Sequence, residues 1–397
     1  MQRAGARGGR RWAGAGAVGI ALGVALVPAP GAEAARLPPR PEVLRREIAP
    51  SPRFQAVQVR SQQSFTERRL LEFEPRELGG PAIDPFSGEV ALATRRGELY
   101  LLDSRGRQVW MSKIGAAPSS SPTVTDDAIY VGTVDGNLHA LDRFNGEHLW
   151  TQPLGGQVLS PPVARADRVF VGTDHDSIHA LEPSTGEVQW LYRRSTPANL
   201  TIRGGSGVSV EGNRVFAGFS DGAVVALGAE DGRSLWQAEP ARGSLERFVD
   251  SDAAPLVRNG LVYTTVFNDG VYAYDAATGK LRWRADAVGA HSLSHDGELL
   301  LVGGASRAWG LNLANGAFVW SLDLGDSYVV KPVVHKGIAM LAGPKGIALV
   351  ASDTGKPLGR FFPGSGFSAG PVAMGSEIYA FSDLGYLYRL SLLAGRG

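Results

Sequence analysis

The chain has 397 residues, 44% of them hydrophobic and 20% charged, with a formal net charge of +1. That is apolar enough for a large core and too evenly charged for a nucleic-acid-binding surface, so wholesale disorder and nucleic-acid partners are excluded. No Cys is present, which removes disulfides, thiolate metal sites, a cysteine nucleophile and a lipidated N-terminal Cys.

The first 34 residues read as a secretory signal. Arg3, Arg7, Arg10 and Arg11 precede an uncharged run over residues 12–27, and Ala32-Glu33-Ala34 supplies the small-residue cleavage pattern. Retention of the run as an anchor is the alternative; it is short and Gly-rich, and Pro28 and Pro30 close it. Residues 35–64 form a Pro/Arg-rich arm or linker, with Pro38, Pro39, Pro41, Pro50 and Pro52. The expected location is the periplasm, peripheral at the outer membrane and without a lipid anchor.

From residue 65 to the end the chain repeats itself. Gly106-Arg107-Gln108-Val109-Trp110, Gly146-Glu147-His148-Leu149-Trp150 and Gly186-Glu187-Val188-Gln189-Trp190 are copies of one G-x-x-x-W motif, and later copies end at Trp236, Trp283 and Trp320. The steps between these Trp are 40, 40, 46, 47 and 37 residues. A seventh copy, from Asp353 to Leu358, has lost its Trp.

Each unit carries four strand signals separated by turns such as Asp135-Gly136 and Asn145-Gly146, where Gly can take a positive φ. Four antiparallel strands in about 40 residues make one propeller blade. A blade cannot bury both faces alone, and the recurring Trp offers a flat surface for stacking on the next. Eight first strands can be counted, the eighth at residues 370–373. The last unit lacks a fourth strand, and residues 70–73 (Leu-Leu-Glu-Phe) are expected to supply it and close the ring. The fold expected is therefore all-β: an eight-bladed propeller of four-stranded antiparallel blades, closed by an N-terminal strand.

Several residues mimic catalytic groups. His139 and His179 recur at one repeat position, but other units place Tyr100, Val224 and Tyr272 there, so a structural role is expected. Asp174-His175-Asp176 replaces the turn Val134-Asp135-Gly136 and reads as a polar hairpin tip. Asp103, Asp142, Glu182 and Asp275 are expected to accept backbone N–H bonds in turns. No metal site, cofactor or catalytic residue is expected.

The pattern in residues 128–150 and 168–190 resembles the pyrroloquinoline-quinone-type propeller repeat. Two longer links narrow the resemblance. Residues 198–206 (Ala-Asn-Leu-Thr-Ile-Arg-Gly-Gly-Ser) and 245–255 (Leu-Glu-Arg-Phe-Val-Asp-Ser-Asp-Ala-Ala-Pro) are similar to loops of the BamB family, propeller subunits of the outer-membrane β-barrel assembly machinery.

That resemblance implies a non-catalytic scaffold. Leu200, Ile202, Arg203, Asp250 and Asp252 would grip the barrel-forming subunit, and unfolded outer-membrane proteins would be further partners. The implied protein is a monomer that needs no cofactor. The family's lipoproteins carry an N-terminal Cys that this chain lacks. The alternatives are a periplasmic propeller binding a polysaccharide or small ligand at its pore, and a quinone-dependent dehydrogenase. The dehydrogenase would need a Ca²⁺ site, a carboxylate base and, in alcohol-oxidising members, adjacent Cys residues.

Overall fold

The computed structural model describes residues 57–66, 75–194, 207–240 and 253–392. They lie within the unit formed by residues 38–397. The described residues contain strands, turns and bends and no helix. Eight sheets of four antiparallel strands follow one another along the chain. Blades 1–7 span residues 82–113, 123–153, 163–193, 208–238, 256–285, 290–323 and 332–361. Blade 8 takes three strands from residues 372–392 and its fourth from Val57–Ser64.

First strands of neighbouring blades touch at six of the eight seams, including that of blades 8 and 1, so they encircle a central axis and the ring is closed. Small residues permit that approach. A Cβ on Gly80 would lie 2.6 Å from the Ala369 Cβ and 2.9 Å from the Ser121 Oγ. By strand register the residues at the axis are Gly80, Ser121, Pro161, Gly207, Ala254, Ser292, Lys331 and Gly370, one in each blade.

The second and third strands carry the core. Val90–Thr94, Ala128–Gly132 and Val169–Thr173 are buried along their whole length. Both faces of these strands pack against neighbouring blades, so the sequence there is apolar without strict alternation. Fourth strands are mostly exposed at the rim.

One register shift recurs in all eight blades, between the third and fourth strands. Just past it, the fourth strand of blades 1–6 places Trp110, Trp150, Trp190, Trp236, Trp283 and Trp320. Each Trp Nε1 donates across the seam to a turn carbonyl of the next blade: Arg143, Pro183, Ala229, Ala276, Leu313 and Ser352, at 2.8–3.0 Å. Each ring also lies under the turn glycine of that blade. A Cβ on Gly186, where φ is +74°, would come within 2.5 Å of the Trp150 ring. Gly359 and Ser61 hold the Trp position in blades 7 and 8, so both seams of blade 8 lack this contact.

The closing strand differs from expectation. Val57–Ser64 pairs with Tyr386–Leu392 and follows the same register shift as every other fourth strand. Residues 70–73 lie outside the described residues. The propeller therefore includes residues that the sequence analysis gives to the arm. The reason is position: only Val57 is buried in this strand, and the rest faces solvent. A rim strand is held by backbone pairing and needs no apolar face.

The 8–1 seam is held by other means. Phe65 packs edge-on against Tyr100 and Phe381, at 5.0 and 6.4 Å between ring centroids. The fully buried Glu77 pairs with Arg95 and accepts the Arg95 backbone N–H at 2.7 Å, while its own N–H donates to the Asp383 carboxylate of blade 8.

Candidate partner-docking face

The chain builds two different faces. On one, the hairpins between second and third strands bond to the links that carry the chain to the next blade: Ile114 N–H to Gly97 O, Leu154 to Gly136, Arg194 to Asp176 and Leu324 to Ser306. We call this the loop face. On the other, the turns between third and fourth strands bond to first hairpins, as in Arg143 to Asp127 and Ala276 to Gly260. This is the turn face.

Leu200, Ile202, Arg203, Asp250 and Asp252 all lie outside the described residues. Their two links leave the ends of the fourth strands of blades 3 and 4, at Arg194 and Pro240, and re-enter at Gly207 and Ala253. The described residues around those ends form a dense polar sector. Asp176, 2% exposed, takes the glycine place of its hairpin with φ of +50°. It crosses to blade 4, where its carboxylate accepts the Ser220 N–H at 2.9 Å and also bonds the Ser220 hydroxyl.

Arg194 stands at the start of the first link. Its Nε donates to Asp221 at 2.7 Å, its guanidinium lies 3.6 Å from Glu239 at the start of the second link, and it covers the Phe219 ring at 5.9 Å. Burial alone would lower its pKa, but the Asp221 bond and charge outweigh that and hold it up. In blade 5, Arg284 pairs with Asp269 and with Asp286 at 2.7 Å, and lies over Tyr272. The second link ends on the Ala253 N–H, which donates to Thr265 Oγ1.

In this sector the guanidinium groups of Arg194 and Arg284 are each shared between two carboxylates. A charged surface of this kind can orient a partner and set its register. No local pattern in the sequence marks it, because Arg194, Asp221 and Glu239 are brought together only by blade stacking. The one usable hint is that both link ends carry a charge beside the Trp motif.

The other candidates are structural. His139 is held by Thr151 Oγ1 at 3.0 Å, and His179 by Ser177 Oγ at 3.0 Å. Burial, with Arg193 second, lowers the His179 pKa to about 4. Its contribution to stability is therefore present above the unfolded value of 6.5 and lost as pH falls toward about 4. The shift corresponds to roughly 3 kcal/mol. Thermal melts should show the midpoint dropping between pH 7 and pH 4, and His179→Val, the residue type at Val224, should flatten that slope. A parallel slope in the variant contradicts the assignment.

The Asp103, Asp142 and Asp275 carboxylates accept backbone N–H groups of their own turns at 2.8–3.1 Å. For Glu182 the side-chain contact is with Ser184. On the turn face, a cavity of about 470 Å³ opens between blades 1 and 2, lined by Leu101, Val109, Arg143 and Phe144 among others. Its one guanidinium is occupied by Asp84, Glu89 and the Thr125 carbonyl.

Residues 73–322 match the family model described as outer membrane protein assembly factor BamB. The chain belongs to the BamB family. It is 30% identical over 302 residues to outer membrane protein assembly factor BamB of Escherichia coli K12, covering 74% of this chain and 77% of that one. The relative from Alkalilimnicola ehrlichii is 36% identical over 202 residues, 49% of this chain and 53% of its own length, so the match spans about half of that relative.

Among solved structures, BamB from Moraxella catarrhalis superposes with a TM-score of 0.72 at 20% identity, covering 85% of this chain and all of that one. A quinohemoprotein alcohol dehydrogenase from Pseudomonas putida HK5 shares the fold, with a TM-score of 0.68 at 13% identity over 85% of this chain and 76% of that one.

A quinone enzyme of this architecture would need oxygen ligands for Ca²⁺ and a carboxylate base at the axis. None of the eight axial residues is a carboxylate. Among the described residues, no three His, Asp or Glu side chains gather to hold a metal. The described residues do not fit that cofactor.

Proposed function

We propose that this chain is a non-catalytic periplasmic scaffold in the assembly of outer-membrane β-barrel proteins, docking on the barrel-forming subunit through its loop face. Membership of the BamB family is the observation that carries the reading. Three further features support it. Leu200, Ile202 and Arg203 lie on one long link, and Asp250 and Asp252 on the next. Both links start beside the Arg194, Asp221 and Glu239 cluster. A guanidinium such as Arg203 suits bidentate recognition, and the apolar pair suits a desolvated anchor.

In this reading the links make the specific contact and the rigid ring holds them in register. Unfolded outer-membrane chains would pair with exposed fourth strands by adding a strand. Export follows from the basic, apolar and small-residue order of residues 1–34. Arg203→Glu should reduce co-purification of the barrel-forming subunit by about tenfold or more, since it replaces attraction by like-charge or unpaired-charge cost. Wild-type recovery of the subunit with this variant would count decisively against the loop face as the docking surface.

A further inference from the structure

One seam departs from the repeat on the turn face. In blades 2–7 the carbonyl that takes the Trp Nε1 bond belongs to Arg143, Pro183, Ala229, Ala276, Leu313 and Ser352, so blade 2 alone puts a charge there. The residue after it is Phe144 in blade 2, against Ser184, Glu230, Ala277, Ala314 and Asp353. Across the seam, residues 84–89 stand between the first and second strands of blade 1, where the other blades have two to four residues. That longer hairpin carries Phe86. Phe144 is 72% exposed and Phe86 94%, and both rings would gain by being covered.

These departures converge on the cavity of about 470 Å³ between blades 1 and 2. Arg143 pairs with Asp84 and Glu89, and it donates to the Thr125 carbonyl at 2.8 Å and to Ser87 Oγ at 3.0 Å. Asp84 also accepts the Phe86 N–H at 2.9 Å, so the long hairpin is fixed and the floor of the cavity is preformed. Leu101, Val109 and Phe144 give the walls an apolar character, and the exposed Asp126 stands at the rim. Three carboxylates, Asp84, Glu89 and Asp126, surround one guanidinium, which leaves the site an excess of negative charge. An aromatic, apolar groove with an acidic rim suits proline rings next to a cation.

The chain carries such a segment and brings it in on this face. Val57 pairs with Leu392, at the end of the third strand of blade 8, and third strands end on the turn face. Residues 38–56 therefore lead into the ring from the turn face. They begin Pro38-Pro39-Arg40-Pro41 and hold Arg45, Arg46 and Arg53 against Glu42 and Glu47, a basic excess opposite in sign to the cavity. Fifteen residues separate Pro41 from Val57. At about 3.1 Å per residue in a polyproline-type chain, they can span roughly 50 Å. Blade 2 lies two sheet-to-sheet steps from blade 8, each about 10 Å at the core and wider at the rim, so the segment is long enough.

We propose that Pro38, Pro39, Arg40 and Pro41 dock in cis in the turn-face cavity between blades 1 and 2, the prolines against Phe144 and Phe86 and Arg40 toward Asp126 and Glu89. Tethering holds the segment at an effective concentration in the millimolar range, so modest contacts suffice. The proposal is independent of docking through the loop face.

The test uses the full chain with a photoreactive phenylalanine analogue in place of Phe144, mixed with an equal amount of an isotope-labelled copy. Mass spectrometry of the crosslinked peptides separates contacts within a chain from contacts between copies. A crosslink within one chain, from position 144 to a peptide holding residues 38–41, is expected. Arg40→Glu should lower its yield about tenfold, the effect of reversing a charge-assisted contact. Asp126→Lys should do the same, and the two changes together should restore most of the yield. Asp167→Lys, exposed in the first hairpin of blade 3, should leave it unchanged. Circular dichroism establishes that the variants are folded. A crosslink only between differently labelled copies, or none to the arm, overturns the proposal, as does a yield that Arg40→Glu leaves unchanged or that the paired variant fails to restore.

Discussion

Deleting residues 57–64 should abolish the cooperative fold of the ring. Those residues are the fourth strand of blade 8, while the other three strands come from the far end of the chain. Without them Tyr386–Leu392 becomes a free edge along its whole length. The Arg60 to Ser391 bond is lost, and the contacts of Phe65 with Tyr100 and Phe381 lose the strand that leads into them.

The neighbouring seams cannot compensate. Blade 7 has Gly359 and blade 8 has Ser61 where a Trp clamps the other six seams. At about 1 kcal/mol net for each backbone hydrogen bond, the pairing alone is worth several kcal/mol, a large share of the 5–15 kcal/mol that typically stabilises a folded protein. The free edge also invites aggregation. Circular dichroism melts and size-exclusion chromatography check the result: a lowered, broadened transition with soluble aggregates is expected, and an unchanged melting temperature contradicts closure by this strand.

Trp320→Ala should be the most damaging of the six Trp truncations. Trp320 is 1% exposed, its Nε1 donates to the Ser352 carbonyl at 2.8 Å, and it is enclosed by two glycines. A Cβ on Gly310 or Gly355 would come within 2.3 or 2.6 Å of its ring. Truncating a buried Trp costs about 3–5 kcal/mol when the site cannot collapse. Rigid strands on both sides make collapse difficult here, and the Ser352 carbonyl is left without its donor. Trp150 and Trp236 are less deeply buried and should cost less. Chemical denaturation of the three variants gives the ranking. A cost for Trp320→Ala below about 1 kcal/mol would show that blade docking does not depend on the ring.

The repeat is legible in the sequence for a geometric reason. Each turn glycine must take a positive φ and lie flat on the Trp of the preceding blade, and the Trp of its own blade follows at the fixed G-x-x-x-W spacing, so the motif recurs as a unit. Asp103, Asp142 and Asp275 recur because their turns need an acceptor. The closing strand is not legible. Val-Gln-Val-Arg-Ser-Gln-Gln-Ser has no apolar face, since it lies at the rim, and the more apolar residues 70–73 look like the better strand.

The polar sector around Arg194 is hidden for a different reason. Its partners come from a hairpin and a strand end in the next blade, and only the stacking of blades brings them together.

Site-specific photocrosslinking in intact cells tests the docking face most directly. A photoreactive residue placed at Leu200, in the link that follows blade 3, and in a separate variant at Phe144 on the turn face, should give opposite outcomes. The account predicts a crosslink to the barrel-forming subunit from position 200 and none from position 144. A crosslink from position 144 alone would contradict it.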